Sequence, residues 1–238
     1  GTINLNGVNN TGIKALTGGK ASLSGDINIA GGADTSTGLR NYGVWSEGNG
    51  SQVDISGQIN MSGDGAIGVH ARDGGSVTLS GSGDINFASG TNQLGYYVYG
   101  PTASIINNGT GAQNVSTQDS VLFRVDGGAD FTGGAGAASE LTASGQGSTT
   151  IVANGKDATS GNVSAFNSGG MTLNLSGEDS TGVLVQGGAQ GKITSNAIIN
   201  MTAEGAVAGI VDGQGYDING NALGTPVSGV LANAALAA

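Results

Sequence analysis

The chain contains one histidine, no cysteine and 17 acidic residues, and these numbers limit its chemistry. A serine hydrolase needs a serine, a histidine base and an orienting acid, so His70 would have to be the base. No G-x-S-x-G motif is present to supply the nucleophile. We therefore expect His70 to be an ordinary surface histidine. Thiol chemistry and metal sites of the histidine/cysteine kind are excluded by composition.

Paired carboxylates are the other source of chemistry. Candidate neighbours are Asp126 with Asp130, Glu178 with Asp179, and Asp212 with Asp217. Two carboxyl groups roughly 5 to 10 Å apart can hydrolyse a glycosidic bond. All six lie in glycine-rich turns, where aspartate is common for conformational reasons, and no basic cluster accompanies them to hold an acidic sugar. We expect no enzyme, cofactor or metal, although calcium at one of these turns stays an open alternative.

The excess of acidic residues limits the classes of partner that the chain can bind. Seven basic residues stand against 17 acidic ones, which gives a formal net charge of −10. Nucleic acid is a poor partner, because neutralising phosphates requires many lysines and arginines. No apolar run approaches the 18 residues of a membrane-spanning helix, so we expect no direct membrane insertion of this segment. The 48 glycines keep no three-residue period, which excludes collagen.

A short sequence motif recurs along the chain and indicates how the candidate residues are positioned. An apolar residue, an asparagine and a second apolar residue occur at 3–5, 27–29, 59–61, 85–87, 173–175 and 199–201. Apolar residues two apart are typical of a strand with one buried face. The first four copies recur at intervals of 24 to 32 residues, and a repeat of this length predicts a solenoid.

Three coils can be superimposed, beginning at Gly12, Gly43 and Gly68, and each contains three short strands joined by turns. The longer first interval places a projecting loop at 33–42. In the second half we predict strands at 121–125, 162–166, 171–175, 182–185 and 198–201. Residues 133–148 and 153–161 are expected to be long loops or thin coils. We predict one all-β parallel β-helix domain over 1–238, with about eight or nine coils and a ragged tail at 231–238.

Two columns of outward side chains are the candidate binding residues. The first contains Asn28, Asn60 and Asn86, with Asn4 and Asn200 as further members, and Ser22, Asp54 and Thr78 on a neighbouring strand extend the same polar face. Stacked amides bonding along the column are one interpretation. The alternative is a face that pairs with the same face of another molecule.

The second column takes the third position of each leading strand. It contains Lys14, Trp45, His70 and Tyr97, with Tyr99 and Tyr96 close by. We expect an exposed stripe, and exposed aromatic faces bind sugar rings and protein partners well. The alternative is aromatic stacking that only shields the edge of each coil.

The stacked coils GVWSEGNGSQVDISGQINMSG and GVHARDGGSVTLSGSGDINF resemble the passenger domain of a Gram-negative autotransporter adhesin. The resemblance covers nearly the whole chain and is best over 12–106. It implies a right-handed helix, a signal peptide before the segment and an outer-membrane β-barrel after it. It also implies display at the cell surface.

The expected function is therefore a non-enzymatic adhesin. It would promote aggregation, biofilm formation or host attachment through self-association or through a host surface protein or glycan. The alternative is a polysaccharide-binding or polysaccharide-cleaving β-helix, similar to a lyase or a phage tailspike.

Overall fold

The computed structural model describes residues 1–34, 36–109, 113–133 and 139–233, and these form a parallel β-solenoid. Three short strands make up a typical turn, and within each parallel sheet a strand pairs with its equivalents in the neighbouring turns. The stack has about seven turns, slightly fewer than the eight or nine expected. The predicted all-β parallel fold is confirmed.

The strands share a length of two to six residues. They are β1 (Ile3–Leu5), β2 (Thr11–Leu16), β3 (Lys20–Leu23), β4 (Ile27–Ile29), β5 (Tyr42–Glu47), β6 (Gln52–Ile55), β7 (Ile59–Met61), β8 (Ile67–Arg72), β9 (Ser76–Gly81), β10 (Ile85–Phe87), β11 (Leu94–Tyr99), β12 (Ser104–Gly109), β13 (Gln113–Val115), β14 (Val121–Asp126), β15 (Asp130–Thr132), β16 (Glu140–Ala143), β17 (Thr149–Asn154), β18 (Ala165–Asn167), β19 (Thr172–Leu175), β20 (Thr181–Gln186), β21 (Gln190–Ile193), β22 (Ile198–Met201), β23 (Val207–Asp212), β24 (Gly215–Tyr216), β25 (Ala222–Leu223) and β26 (Val230–Asn233).

Only one of the three faces is a continuous sheet. It has eight strands in the order β2-β5-β8-β11-β14-β17-β20-β23, and we call it the long face. The face that carries the asparagine motif consists of two four-stranded sheets, β1-β4-β7-β10 and β13-β16-β19-β22, and we call it the amide face. The third face is divided in the same way into β3-β6-β9-β12 and β15-β18-β21-β26. The long face therefore connects the two halves of the stack.

The interior is filled by the alternate apolar residues of all three faces. Ile27, Ile59 and Val69 are fully buried, and a single core cluster extends from Leu5 to Ala189. Burial of one such side chain stabilises the fold by about 1.5–3 kcal/mol. Rings stack along the axis in the middle of the core, with the Tyr96 and Phe123 centroids 4.5 Å apart. Tyr96 is thus a core residue and does not lie beside the outward stripe.

Glycine is required where the long face approaches the core closely. A Cβ on Gly68 would lie 2.7 Å from Ile85 Cδ1 and 2.8 Å from the carbonyl oxygen of Gly95. Gly43 has the same relation to the carbonyl oxygen of Gly68, at 2.6 Å. The glycine that begins each predicted coil is therefore a packing requirement of the turn beneath it.

Most strands follow the sequence prediction, and the exceptions lie in small-residue segments. Strands at 121–125, 171–175, 182–185 and 198–201 are confirmed within two residues. The strand predicted at 162–166 is shorter and later, at Ala165–Asn167. Glu140–Ala143 and Thr149–Asn154 are strands inside or overlapping segments expected to be loops. Residues 231–233 of the expected ragged tail belong to β26, while 234–238 lie outside the described residues.

Two excursions leave the stack and meet over the long face. The first is the predicted loop at 33–42, in which Asp34 and Leu39 form an antiparallel bridge and Tyr42 already begins β5. The second is the antiparallel hairpin of β24 and β25, which the sequence did not indicate. Gly38 of the loop approaches Asn219 of the hairpin, so residues about 180 positions apart are brought together.

Candidate binding surfaces

The predicted asparagine column forms a hydrogen-bonded ladder on the amide face. The Nδ2 groups of Asn28, Asn60 and Asn86 donate to the Oδ1 atoms of Asn4, Asn28 and Asn60 at 2.8, 3.0 and 3.0 Å. Strand register places each amide directly above its equivalent. The interpretation of stacked amides is therefore correct for this half of the stack.

The ladder continues in the second half with more varied residues. Register aligns Asn114, Thr142, Asn174 and Asn200 in that order. Asn200 donates to Asn174 at 2.8 Å, Asn174 donates to Glu140 Oε1 at 2.8 Å, and Ser144 Oγ donates to Asn114 Oδ1 at 2.8 Å. All eight side chains of the column, from Asn4 to Asn200, are uncharged. The ladder is thus an uncharged, repetitive column on an acidic protein, with the exposed Glu140 of β16 as a charged neighbour.

The neighbouring polar column is also in register. Ser22 pairs with Asp54, and Asp54 pairs with Thr78. Ser22 and Asp54 are exposed, and Thr78 is half-buried. A shallow groove of about 310 Å³ follows Ser22 and Asp54, so the third face is open to a partner at this point.

The aromatic column is in the predicted register but is not the exposed stripe that we expected. Lys14, Trp45, His70 and Tyr97 are vertical neighbours on β2, β5, β8 and β11. Only 3% of His70 and 8% of Tyr97 are exposed, so the prediction of surface positions is wrong for both. The His70 ring stacks on Tyr97 with centroids 4.4 Å apart and meets Trp45 edge-on at 4.6 Å.

Burial perturbs the titratable groups of this column. Desolvation lowers the pKa of His70 to about 4, against the opposing effect of its hydrogen bond to the Tyr97 carbonyl. Because a carbonyl only accepts, the 3.2 Å contact requires a proton on Nδ1 of His70. Such a neutral, enclosed imidazole packs as an aromatic ring and is not available as a surface base.

One turn further on, a buried ion pair continues the column. Arg124 Nε donates to Asp126 at 3.0 Å, and the Tyr97 hydroxyl donates to the same carboxylate at 3.2 Å. Burial raises the pKa of Asp126, and the guanidinium of Arg124 opposes that shift. The buried charges of Arg124 and Asp126 therefore compensate each other.

The exposed part of the aromatic face lies at its beginning and along one side. Lys14 is exposed, and its Nζ lies 4.6 Å from the centroid of the half-buried Trp45 ring. Trp45 Nε1 donates to Glu47 Oε2 at 2.9 Å. Tyr99 is 37% exposed, with Arg72 above its ring at 5.3 Å. Of the predicted stripe, Lys14, Trp45 and Tyr99 remain accessible.

Two of the three predicted carboxylate pairs contain side chains that make other contacts. Asp126 is buried in its ion pair, whereas Asp130 is exposed on the third face. Asp217 accepts from the backbone of Asn219 and Asn221, and Asp212 accepts from the backbone of Gln214. These carboxylates therefore hold their own turns, as the turn preference of aspartate predicts. Within the described residues, no group of three or more metal-ligating side chains is close enough to hold an ion.

A cleft that the sequence did not indicate lies between the hairpin and the long face. Its volume is about 330 Å³, and it is lined by Arg40 of the loop, Arg124 of β14 and residues 216–220 of the hairpin. Arg40 donates to the carbonyls of Gly65 and Ile218 at 2.8 and 2.6 Å. Arg124 donates from Nη2 to the carbonyl of Tyr216. No local pattern connects arginines 84 residues apart, which is why sequence reasoning found no basic cluster.

A wider groove of about 560 Å³ lies over the second half of the third face. Phe131 and Phe166 form part of its lining, with Asp130 and Lys192 among the polar residues. Partial desolvation raises the pKa of Asp130, although its side chain is exposed. Its lining is predominantly apolar, and the sequence indicated nothing here because Gly191 and Ala165 carry no recognisable binding pattern.

Comparison of the chain with protein-family models, curated proteins and solved structures gives no significant match. Among the described residues, no helix is both long enough and apolar enough to cross a bilayer. The candidate surfaces must therefore be weighed on their geometry alone.

Proposed function

We propose that this solenoid is a non-enzymatic adhesion module that associates with further copies of itself through the amide face. In this proposal the chain is the surface-displayed passenger segment of an autotransporter adhesin, held outside the cell by an outer-membrane anchor. Its effect would be aggregation or biofilm formation, with attachment to a host surface as the related outcome.

The observation that carries the proposal is the uncharged amide ladder. Two molecules with a formal charge of −10 each repel one another, and that repulsion is weakest along a column of uncharged side chains such as this ladder. Asparagine amides hold donors and acceptors in the same side chain, so a ladder is complementary to a second ladder. Each contact is weak, but regular repetition along the stack and many displayed copies make the sum effective.

The proposal is tested by adding charge to the ladder without breaking it. Asn114 accepts from Ser144 through Oδ1, and Asn4 accepts from Asn28 in the same manner, so aspartate at either position keeps the bond. We expect the double variant Asn4→Asp with Asn114→Asp to remain folded and to lose concentration-dependent association. Sedimentation velocity over a concentration series measures this, and settling of cells that display the segment measures its consequence.

The matched control is Asn49→Asp, an isosteric change in an exposed turn between β5 and β6. It adds the same kind of charge away from the amide face and should leave association within about twofold of the unmodified protein. Unmodified protein that stays monomeric at every concentration and does not promote settling contradicts the proposal.

A carbohydrate-binding function is the second candidate, and the accessible rings of Trp45 and Tyr99 favour it. Sugar rings pack on aromatic faces, and both side chains have polar groups beside them. Trp45→Ala should weaken attachment to glycans while leaving self-association through the amide face unchanged. A glycan-binding assay with the two classes of variant separates the candidates.

A further inference from the structure

We propose that the cleft between the hairpin and the long face is a binding site for a small carboxylate-bearing, hydroxylated ligand, of which a uronic acid unit is the simplest form. The inference goes beyond the proposed self-association and does not depend on it. The cleft lies on the long face, and the ladder lies on the amide face.

The first argument is the placement of cationic groups. The chain has only three arginines, and two of them line this one cleft. The third, Arg72, lies on the same face but outside the cleft. Arg124 is already paired with Asp126, so Arg40 supplies the unpaired charge and Arg124 supplies further N–H donors, and guanidinium groups are well suited to binding a carboxylate.

The second argument is that Arg40 has no carboxylate partner in the part of the chain that the structure describes. The ion pairs of the described residues involve Arg72 and Arg124 only. Arg40 donates to Gly65, Asn92, Ile218 and the Asn219 side chain, which are all neutral acceptors. Desolvation is the largest effect on its pKa and lowers it; Tyr42 opposes this shift, Arg124 adds to it, and Asp217 opposes it least. A partly buried cation is thus left without an ion-pair partner among the described residues, with Asp217 as the acidic residue that lines the same cleft.

The third argument is unused donor capacity. A guanidinium carries five N–H groups. Within the described part of the chain, Arg40 uses Nε, both N–H groups of Nη1 and one of Nη2, and Arg124 uses Nε and one N–H of Nη2. Four N–H groups of the two side chains remain for a ligand, which is enough for bidentate binding of one carboxylate.

The remainder of the lining sets the character of the ligand. Val121, Val152 and Leu184 supply an apolar floor, while Asn92, Thr149 and Gln186 supply amide and hydroxyl groups. A sugar ring has apolar C–H faces and a rim of hydroxyl groups, so it matches both parts. A volume of about 330 Å³ is at the lower end for ligand pockets, which limits the ligand to one or two rings.

The experiment uses two probes that differ only in the carboxylate. Methyl β-D-glucuronide and methyl β-D-glucoside are titrated into the whole chain by isothermal calorimetry at low ionic strength. We expect the glucuronide to bind about tenfold more tightly or better, with sodium acetate as a third probe that binds more weakly than the glucuronide. Equal affinity for glucuronide and glucoside, no binding of either, or acetate binding as tightly as the glucuronide overturns the proposal.

Variants assign the binding to the cleft. Arg40→Gln should weaken glucuronide binding about tenfold, and the control Arg72→Gln, which makes the same charge change outside the cleft, should leave it within about twofold. Because Arg40 also holds the hairpin, Leu184→Asp is a second variant that places a negative charge on the half-buried floor and should weaken binding to a similar degree. Glucuronide binding that survives both changes, or that Arg72→Gln reduces equally, contradicts the assignment. Loss of self-association in the amide-face variants with glucuronide binding intact separates this result from the proposed function.

Discussion

At the scale of single residues, the main finding is that identical register positions differ in exposure. Lys14 is exposed and His70 is buried, although they lie in one column two turns apart. The ring contacts of Tyr42, Trp45 and Tyr97 enclose the imidazole. The side chain that most resembled a catalytic base is therefore part of a hydrophobic cluster.

The buried histidine makes stability depend on pH in a defined direction. The pKa of His70 in the folded protein is about 4, below the ordinary value of 6.5, so the unfolded chain takes up the proton first. Its contribution to stability is full above pH 6.5 and is lost as the pH falls toward 4, by about 3 kcal/mol in total. Arg72 and Asp73 are the charged groups that act on it, with opposite signs.

The matched variant for this effect is His70→Gln, which cannot take up a proton and keeps every carboxylate. Urea unfolding at pH 7.5 and 4.5 should show that the unmodified protein loses about 2–3 kcal/mol more stability than the variant over that interval. Identical losses in the two proteins would show that the imidazole is not buried as described.

At the scale of elements, the glycine that begins each long-face strand is a steric requirement. Gly68→Ala would bring a methyl group within 2.7 Å of Ile85 Cδ1 and 2.8 Å of the Gly95 carbonyl. We expect a loss of about 1–3 kcal/mol in the free energy of unfolding, because such overpacking forces the backbone to move. Gly213→Ala is the control, since its nearest contact would be an ordinary 3.6 Å to Pro226 Cβ. Equal stability of the two variants in thermal or urea unfolding would refute the close approach.

A strand could be predicted from the sequence where its apolar and polar residues alternate clearly. Local alternation such as Ile59-Asn60-Met61 predicts both the strand and the direction of its side chains, and the asparagine ladder follows from the repeat. Glu140–Ala143 was missed because it is short and lies in a segment rich in glycine, alanine and serine, although Leu141 and Ala143 are both buried. The β-branched run at 149–152 was a usable signal for β17 that the glycine-rich surroundings obscured.

The packing of the loop and the hairpin over the long face could not be predicted from any short segment of the sequence. Arg40 and Asn219 are joined by a hydrogen bond across 179 positions, and Arg124 meets the Tyr216 carbonyl across 92. Neither contact leaves a periodic trace in the sequence. The burial of Tyr97 and the existence of the cleft could therefore be read only from the folded chain, whereas the register of the same column could be predicted.

At the scale of the whole molecule, the three faces have different characters. The long face is continuous and is partly covered by the loop and hairpin, while the other two are interrupted near the middle of the stack. The amide face carries an uncharged, repetitive ladder, and these are the properties that the proposed self-association needs on an acidic protein. In the two proposals made above, one face of the solenoid would serve as a pairing surface and another would hold a separate ligand cleft around the same core.

The most direct test of self-association through the amide face is disulfide cross-linking of single introduced cysteines. The chain has no cysteine of its own, so every cross-link forms at the introduced position. Asn86 and Asn114 are exposed on the amide face, and Lys14 is exposed on the long face. Asn86→Cys and Asn114→Cys, alone and mixed, should form disulfide-linked dimers under mild oxidation faster than Lys14→Cys at the same concentration, because disulfides need Cα atoms within about 7 Å. Dimer formation by Lys14→Cys at an equal or higher rate would contradict pairing through the amide face.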